Sequence, residues 1–171
     1  MELTIEITQY CDNNCVYCST NATPAGEHLD FDTIKDFLHT HKGNIDRINI
    51  SGGEPLAHPE FYEIITYCRM FTDNVWVYTN ALDRIIYNTD VVKEIKVEAN
   101  VCLTPGKHVY LPATASKTHL LKLVRQGKAK DMEVGNYHVS GNITGCGCDK
   151  CSHAVLQANG KVVSAPCKKE Y

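Results

Sequence analysis

Apolar and polar residues follow two different periods along this chain. Some short stretches alternate apolar and polar residues, or are rich in β-branched and aromatic residues, as strands are. Between them lie stretches whose apolar residues recur every three or four positions, as on one face of a helix. The predicted strands are Leu3–Thr8, Asp46–Ser51, Asn74–Thr79, Glu94–Leu103 and Asp131–Ser140. The predicted helices are Asp30–His41, His58–Phe71 and Thr114–Gly127, with a short helix or loop at Leu82–Val92.

This alternation of strand and helix predicts parallel strands joined by right-handed crossovers. The 171 residues are enough for one domain with a substantial core, but they hold too few units for an eight-fold barrel. We therefore predict an α/β fold, a partial, open parallel (β/α) barrel of about five or six strands. A short C-terminal Cys-rich β-hairpin extension follows it. The predicted division is 1–142 for the barrel and 143–171 for a metal-binding extension.

Three segments with candidate chemistry leave the carboxyl ends of the first three predicted strands. They are YCDNNCVYCST at 10–20, SGGEP at 51–55 and TNA at 79–81. Ligands of parallel α/β folds bind at the carboxyl ends of the strands. We therefore expect these segments to converge on one rim.

The nine cysteines favour metal binding over a disulfide framework, since an odd number cannot pair completely. The segment Met1–Ile7 has two glutamates and no basic start, which predicts no secretory signal. No apolar run approaches the roughly 20 residues of a membrane span. We expect a cytoplasmic protein with no membrane partner, where thiols stay reduced and clustered cysteines bind metal. A net charge of −3 provides no electrostatic footprint for nucleic acid, which we do not expect as a partner.

The cysteines of the first segment, Cys11, Cys15 and Cys18, have the spacing C-x3-C-x2-C. Three cysteinates on a cubane 4Fe–4S cluster leave one iron without a protein ligand. That iron can bind a small molecule through an amine and a carboxylate. The same three cysteines could also belong to a zinc site whose fourth ligand lies elsewhere.

The cysteine motif, with an aromatic residue before its third cysteine and GGEP after the second strand, resembles the radical S-adenosylmethionine (radical SAM) superfamily. The similarity covers roughly Leu3 to Ser140 in strand order, but its specific motifs lie within the first 55 residues. It implies that Cys11, Cys15 and Cys18 are the catalytic residues and hold a 4Fe–4S cluster. The open iron would then bind the amine and carboxylate of S-adenosylmethionine. Reductive cleavage of that molecule would produce a 5′-deoxyadenosyl radical, which abstracts a substrate hydrogen.

The resemblance also implies contacts to S-adenosylmethionine. Tyr17, the aromatic residue of the motif, would contact the adenine. The GGEP turn would line the methionyl amine with backbone groups, and GNITG at 141–145 resembles a G-x-I-x-G element beside the adenine. Ser51 and Asn80 are further candidates for polar contacts, on position alone. The predicted cofactor-binding residues are Tyr17, Ser51, Gly52, Gly53, Glu54, Pro55, Asn80 and Ile143.

The tail carries a second group of four cysteines, Cys146, Cys148, Cys151 and Cys167. Asn-Gly between the apolar runs HAVLQ and KVVSA predicts a hairpin that returns the last cysteine to the others. The four thiolates would hold a closed site, either a second 4Fe–4S cluster or tetrahedral zinc, unless the group binds no metal. The arrangement resembles the auxiliary-cluster (SPASM/twitch-like) extensions of some radical SAM enzymes. In this chain the gap between the hairpin glycine and the next cysteine is longer than in their usual pattern.

Three functional classes follow from these motifs. The first is a radical SAM enzyme acting on a small molecule or on a peptide or protein under anaerobic conditions. Its electrons would come from an external flavodoxin- or ferredoxin-like donor. The second is an iron–sulfur electron-transfer protein without radical chemistry, and the third is a zinc-binding interaction module. Iron content and S-adenosylmethionine binding distinguish the three.

Overall fold

The computed structural model describes residues 1–13, 15, 18–80, 95–101, 115–120, 122–123, 128, 138–139 and 151–169. Two α-helices lie in these ranges, α1 (Phe31–Thr40) and α2 (Phe61–Cys68), with short 3-10 helices at Pro55–Ala57 and Pro166–Lys168. The strands are β1 (Glu2–Glu6), β2 (Arg47–Ser51), β3 (Val75–Thr79), β4 (Lys96–Val101), β5 (Ala115–Leu120), β6 (Lys122–Leu123), β7 (His138–Val139), β8 (His153–Leu156) and β9 (Val162–Val163).

The main feature is a seven-stranded sheet in the order β5-β4-β3-β2-β1-β8-β9. Neighbouring strands from β5 to β8 all pair in parallel, and β9 returns antiparallel to β8. Six parallel strands with edges at β5 and β9 confirm the prediction of an α/β fold with an open parallel sheet. Because β1, β2 and β3 run in parallel, their carboxyl ends lie side by side at the same end of the sheet.

The two faces of the sheet differ in polarity, because successive side chains of a strand point to opposite faces. Leu3 and Ile5 of β1 are fully buried in the core that also includes Ile34 of α1 and Ile64 of α2. On the other face of β1 lie Glu2, Thr4 and Glu6. The register places polar residues of β2, β3, β4 and β8 on this face, namely Arg47, Asn49, Tyr78, Glu98 and His153. The sheet thus has an apolar face beneath the helices, and an opposite face on which these polar side chains lie beside Trp76 and Val155.

The first helix forms where the sequence predicts it. The side chain of Asp30 caps α1 by accepting a hydrogen bond from the Asp32 backbone N–H at 3.1 Å. The second helix is shorter than predicted, since α2 begins at Phe61 rather than His58. No helix in the described part of the chain is long and apolar enough to cross a membrane.

The predicted helix at Thr114–Gly127 is wrong over its described residues. Residues 115–120 form β5, which pairs in parallel with β4 from Val97↔Ala115 to Val101↔Leu120 through a register shift. The hydrogen bonds offered by the edge of β4 outweigh the helical preference of this stretch, because propensity is a weak prior against tertiary pairing. The predicted strand at Asp131–Ser140 contributes β7, which pairs with β6 in a separate two-stranded ladder.

The predicted tail hairpin is confirmed, and the structure joins it to the main sheet. Gly160 adopts φ +81° in the turn between β8 and β9, and the Gln157 N–H donates to the Lys161 carbonyl at 2.8 Å. Strand β8 pairs in parallel with β1, from Glu2↔His153 to Ile5↔Leu156. The first strand of the chain is therefore an interior strand of the sheet.

Candidate active site at the carboxyl ends of the first three strands

The segment that joins β1 to the first cysteine is held on two sides. On one side the Gln9 N–H donates to the Glu27 carbonyl at 2.8 Å, and the Cys11 N–H donates to the Thr23 carbonyl at 3.0 Å. On the other side the Gly53 N–H donates to the Thr8 carbonyl at 2.7 Å, and the Glu54 N–H donates to the Tyr10 carbonyl at 2.9 Å. The GGEP turn thus packs directly on the base of the cysteine loop.

Two glycines allow this contact. Gly52 has φ +133°, a backbone conformation that residues with a side chain rarely adopt. A Cβ on Gly53 would lie 2.1 Å from the Tyr10 carbonyl oxygen. Glycine at 53 is therefore required by the approach of the protein's own backbone. What the turn can offer to an amine is carbonyl oxygen, because the N–H groups of Gly53 and Glu54 donate within the protein.

Glu54 is fully buried and joins the ends of β2 and β3. Its Oε1 accepts hydrogen bonds from the Leu56 N–H at 3.0 Å and from the Thr79 hydroxyl at 2.8 Å. Its Oε2 accepts one from the Asn80 N–H at 2.8 Å. The carboxylate therefore holds the backbone from which the Asn80 side chain extends. The sequence prediction placed Glu54 close to a ligand, and these contacts give it a structural role in the protein.

Polar side chains contact each of the three sulfurs. The Asn80 amide Nδ2 lies 3.8 Å from the Cys11 Sγ, and the Asn13 amide Nδ2 lies 2.8 Å from the Cys15 Sγ. The Cys18 Sγ lies 3.5 Å from the Thr20 hydroxyl, which itself donates to the Gly52 carbonyl at 3.1 Å. The three segments predicted to share a rim are in direct contact.

The cysteines differ in their surroundings. Cys11 is buried, whereas Cys15 and Cys18 are half-buried. Burial raises the pKa of the Cys11 thiol, and the negative charge of Glu54 raises it further, while a backbone hydrogen bond involving Asn13 lowers it. Binding a metal at Cys11 would therefore release the thiol proton. The metal would then neutralise the thiolate charge, which burial disfavours.

A family model described as the radical SAM superfamily matches residues 5–133, well over half of the chain. The chain belongs to the radical SAM superfamily. Among curated relatives, it is 42% identical over 67 residues to the AdoMet-dependent heme synthase of Methanosarcina barkeri, a match that covers 36% of this chain and 19% of that protein. It is 32% identical over 83 residues to the mycofactocin maturase MftC of Mycobacterium tuberculosis, covering 47% of this chain and 21% of that protein. The matched segments thus span about a fifth of these relatives.

The solved structure of BtrN in complex with AdoMet and 2-DOIA has the same fold. The match covers 96% of this chain and 72% of that chain, with a TM-score of 0.57 at 15% sequence identity. At this identity the likeness shows the fold alone.

Membership of the radical SAM superfamily implies a 4Fe–4S cluster and S-adenosylmethionine, and the chemistry of the cysteine loop suits the cluster. Among the described residues, no group of three His, Cys, Asp or Glu side chains is placed to hold a single metal ion. A cubane makes a different demand, because each cysteinate binds its own iron. Amide hydrogens facing the Cys11 and Cys15 sulfurs suit thiolates, which act as hydrogen-bond acceptors.

Part of the predicted radical SAM site lies outside the described residues. Tyr17, Ile143, Cys146 and Cys148 are among them. Cys68, outside both cysteine groups, is fully buried in the core. Of the other tail cysteines, Cys151 is half-buried just before β8, and Cys167 lies on the 3-10 helix Pro166–Lys168. The tail metal site therefore stays a prediction.

Sequence reasoning missed the residues that surround the sulfurs. Asn13 and Thr20 lie inside the cysteine segment, and Thr79 precedes Asn80. Asparagine two residues before a cysteine was a usable signal, since its amide can reach a neighbouring acceptor. No local pattern indicated that Thr79 would bind Glu54, because that contact joins the ends of two strands.

Proposed function

We propose that this chain forms the catalytic core of a radical SAM enzyme. Cys11, Cys15 and Cys18 would hold a 4Fe–4S cluster, and S-adenosylmethionine would bind at the open iron. When bound, these groups together supply a 5′-deoxyadenosyl radical that abstracts hydrogen from a substrate. The observation that carries the proposal is the contact of the cysteine loop with both the GGEP turn and Asn80 at one edge of a parallel sheet.

The protein's own residues would perform three tasks. The cysteine thiolates bind iron. Backbone groups of Gly52 and Gly53 would line the methionyl amine, with Ser51 and Pro55 flanking them. Tyr17 and Ile143 are proposed for the adenine. Cys11 and Glu54 are buried, so the inner side of the loop has little contact with solvent.

The proposed substrate is a small molecule or a peptide or protein. Both classes are supported by relatives, since one is named a heme synthase and another a mycofactocin maturase. Deuterated candidate pools would identify it, since hydrogen abstraction transfers deuterium to 5′-deoxyadenosine. The proposed electron donor is an external flavodoxin- or ferredoxin-like protein, and the proposed location is the cytoplasm.

The proposed tail site uses Cys146, Cys148, Cys151 and Cys167 as ligands of a closed metal centre. The confirmed β8–β9 hairpin supports it, because the chain turns back between the third and fourth of these cysteines. A second cubane predicts about eight irons per chain, and zinc predicts about four irons with one zinc. A content of four irons per chain without zinc would contradict the proposed tail site and agree with the first cluster alone.

The test of the main proposal is anaerobic reconstitution of the chain with iron and sulfide. We expect the electron paramagnetic resonance spectrum of the reduced protein to change when S-adenosylmethionine is added, and 5′-deoxyadenosine to be released. Cys15→Ala should abolish both effects. Cys68→Ala is the matched control, because Cys68 is a buried core thiol remote from the loop in sequence and should keep both effects.

Two results would contradict the proposal. An iron–sulfur protein whose spectrum ignores S-adenosylmethionine would be the electron-transfer alternative. A colourless chain that binds zinc through the same cysteines would be the interaction module.

A further inference from the structure

The three cysteine sulfurs of the proposed cluster have different polar neighbours. The Cys11 Sγ has the Asn80 amide at 3.8 Å, and the Cys15 Sγ has the Asn13 amide at 2.8 Å. The Cys18 Sγ has the Thr20 hydroxyl at 3.5 Å. A neutral thiol is a weak acceptor, but a thiolate bound to iron carries negative charge and accepts more strongly. The two amide donors therefore matter most in the iron-loaded protein.

The contact at Cys18 differs from the other two. Thr20 has a single hydroxyl hydrogen, and that hydrogen is directed to the Gly52 carbonyl at 3.1 Å. An asparagine amide has two hydrogens, so it can serve a sulfur and a second acceptor together. Asn13 and Asn80 are thus the side chains suited to donate to a thiolate, and Thr20 is suited to hold the GGEP turn.

The position of Asn80 is set by the GGEP motif. The Asn80 backbone N–H is bound to the Glu54 Oε2 at 2.8 Å, and the preceding Thr79 is bound to the Oε1. The Cys11 sulfur is in a buried setting, where an electrostatic interaction is stronger than in water. The amide therefore acts from a fixed backbone on a poorly solvated sulfur.

We propose that Asn13 and Asn80 are positioning residues whose amide hydrogens raise the reduction potential of the cluster. The inference rests on the proposed function, because it requires the cluster at Cys11, Cys15 and Cys18. Reduction adds negative charge to the cluster and its sulfurs. Amide hydrogens that face the sulfurs stabilise this charge and favour the reduced state. The two asparagines act on different sulfurs of one cluster, so removal of both should lower the potential further than removal of either.

The test is a redox titration of the anaerobically reconstituted full chain, followed by electron paramagnetic resonance. Asn80→Leu and Asn13→Leu keep a similar side-chain size and remove the donors. We expect a more negative midpoint potential in each variant and a further decrease in the double variant. Asn74→Leu is the matched control, because Asn74 flanks the opposite end of β3 and bonds to Trp76 and Lys96. It should keep the wild-type potential.

A second substitution covers the case in which a leucine variant does not fold. Asn80→Asp keeps the side-chain shape and replaces the donor by a carboxylate, which should lower the potential below that of Asn80→Leu. Iron-loaded variants with the wild-type potential would overturn the inference. Loss of iron in every asparagine variant would also overturn it, by assigning the amides to folding of the loop.

The outcome for the wild type separates this inference from the proposed function. A wild-type chain that assembles no iron–sulfur cluster would contradict both the proposed function and the inference about Asn13 and Asn80. A wild-type cluster that responds to S-adenosylmethionine, with unchanged potentials in the variants, ends only the inference about Asn13 and Asn80.

Discussion

Glu54 and Asn80 are joined by a hydrogen bond of 2.8 Å from the Asn80 backbone N–H to the Glu54 Oε2. The bond connects the turn after β2 with the end of β3. From the same residue the Asn80 amide reaches the Cys11 sulfur. The GGEP motif is thereby linked to the first cysteine by contacts within the protein.

Replacing Glu54 should destabilise the fold without any cofactor present. Glu54→Gln replaces one carboxylate oxygen by an NH2 group, which cannot accept a hydrogen bond. A buried N–H or O–H group that donates to that oxygen in the wild type would lose its acceptor. We expect the free energy of unfolding to fall by about 1–3 kcal/mol. Urea denaturation followed by the fluorescence of Trp76, the single tryptophan, would measure it.

The control for this change is Glu60→Gln. Glu60 is exposed and its side chain makes no capping hydrogen bond to α2, so the loss should stay within about 0.5 kcal/mol. Equal stability of the two variants would contradict the structural role of Glu54.

A methyl group at Gly53 should also destabilise the cofactor-free chain. The new Cβ would lie 2.1 Å from the Tyr10 carbonyl oxygen, so the backbone must shift. We expect Gly53→Ala to lower the free energy of unfolding by about 3 kcal/mol, at the upper end of overpacking effects. In Gly160→Ala the Cβ would meet nothing within 4 Å, and only the φ of +81° opposes it, at about 1–2 kcal/mol. A Gly53→Ala chain as stable as wild type, but unable to bind S-adenosylmethionine, would assign this glycine to the ligand instead.

The C-terminal segment should depend on a buried ion pair with the first strand. The Lys169 Nζ lies 2.9 Å from the Glu6 Oε1, and their side chains are 10% and 2% exposed. Lys169→Met leaves the Glu6 charge buried without this partner, so we expect a loss of about 3 kcal/mol. The exposed pair of Lys35 and Asp32 supplies the control, since Lys35→Met should cost less than about 1 kcal/mol.

A double variant tests whether Glu6 and Lys169 act as a pair. Combining Glu6→Gln with Lys169→Met should cost less than the sum of the single changes, because no buried charge remains. Additive losses would mean that the pair does not hold the tail to the sheet.

Cysteine labelling of the metal-free chain should separate the loop from the core. Cys15 and Cys18 are half-buried, whereas burial raises the pKa of Cys68 to about 12. At pH 8 that pKa leaves about one Cys68 thiol in 10,000 ionised, and the reactive form is the thiolate. Alkylation followed by peptide mass spectrometry should modify Cys15 and Cys18 first and reach Cys68 only in denaturant. Equal labelling of all three in the native chain would mean that α2 is not packed as described.

The sequence alone determined the features that depend on local patterns. Hydrophobic periodicity indicated α1 and the first four parallel strands, because burial of one face leaves a repeat in the chain. Asn159-Gly160 indicated the β8–β9 hairpin, since that turn needs a residue with positive φ. The cysteine spacing and the GGEP motif indicated the radical SAM superfamily, and strand order indicated that these motifs share a rim.

Only the tertiary structure decided which groups meet across long separations. Residues 115–120 became a strand because β4 offered hydrogen bonds along its edge. Strand β8 lies beside β1, although the paired residues Glu2 and His153 come from opposite ends of the sequence. The same holds for the Asn80 amide at the Cys11 sulfur and for Lys169 at Glu6. A hydrogen bond or ion pair between distant residues leaves no periodic trace, because its partners are brought together by the packing of the whole sheet.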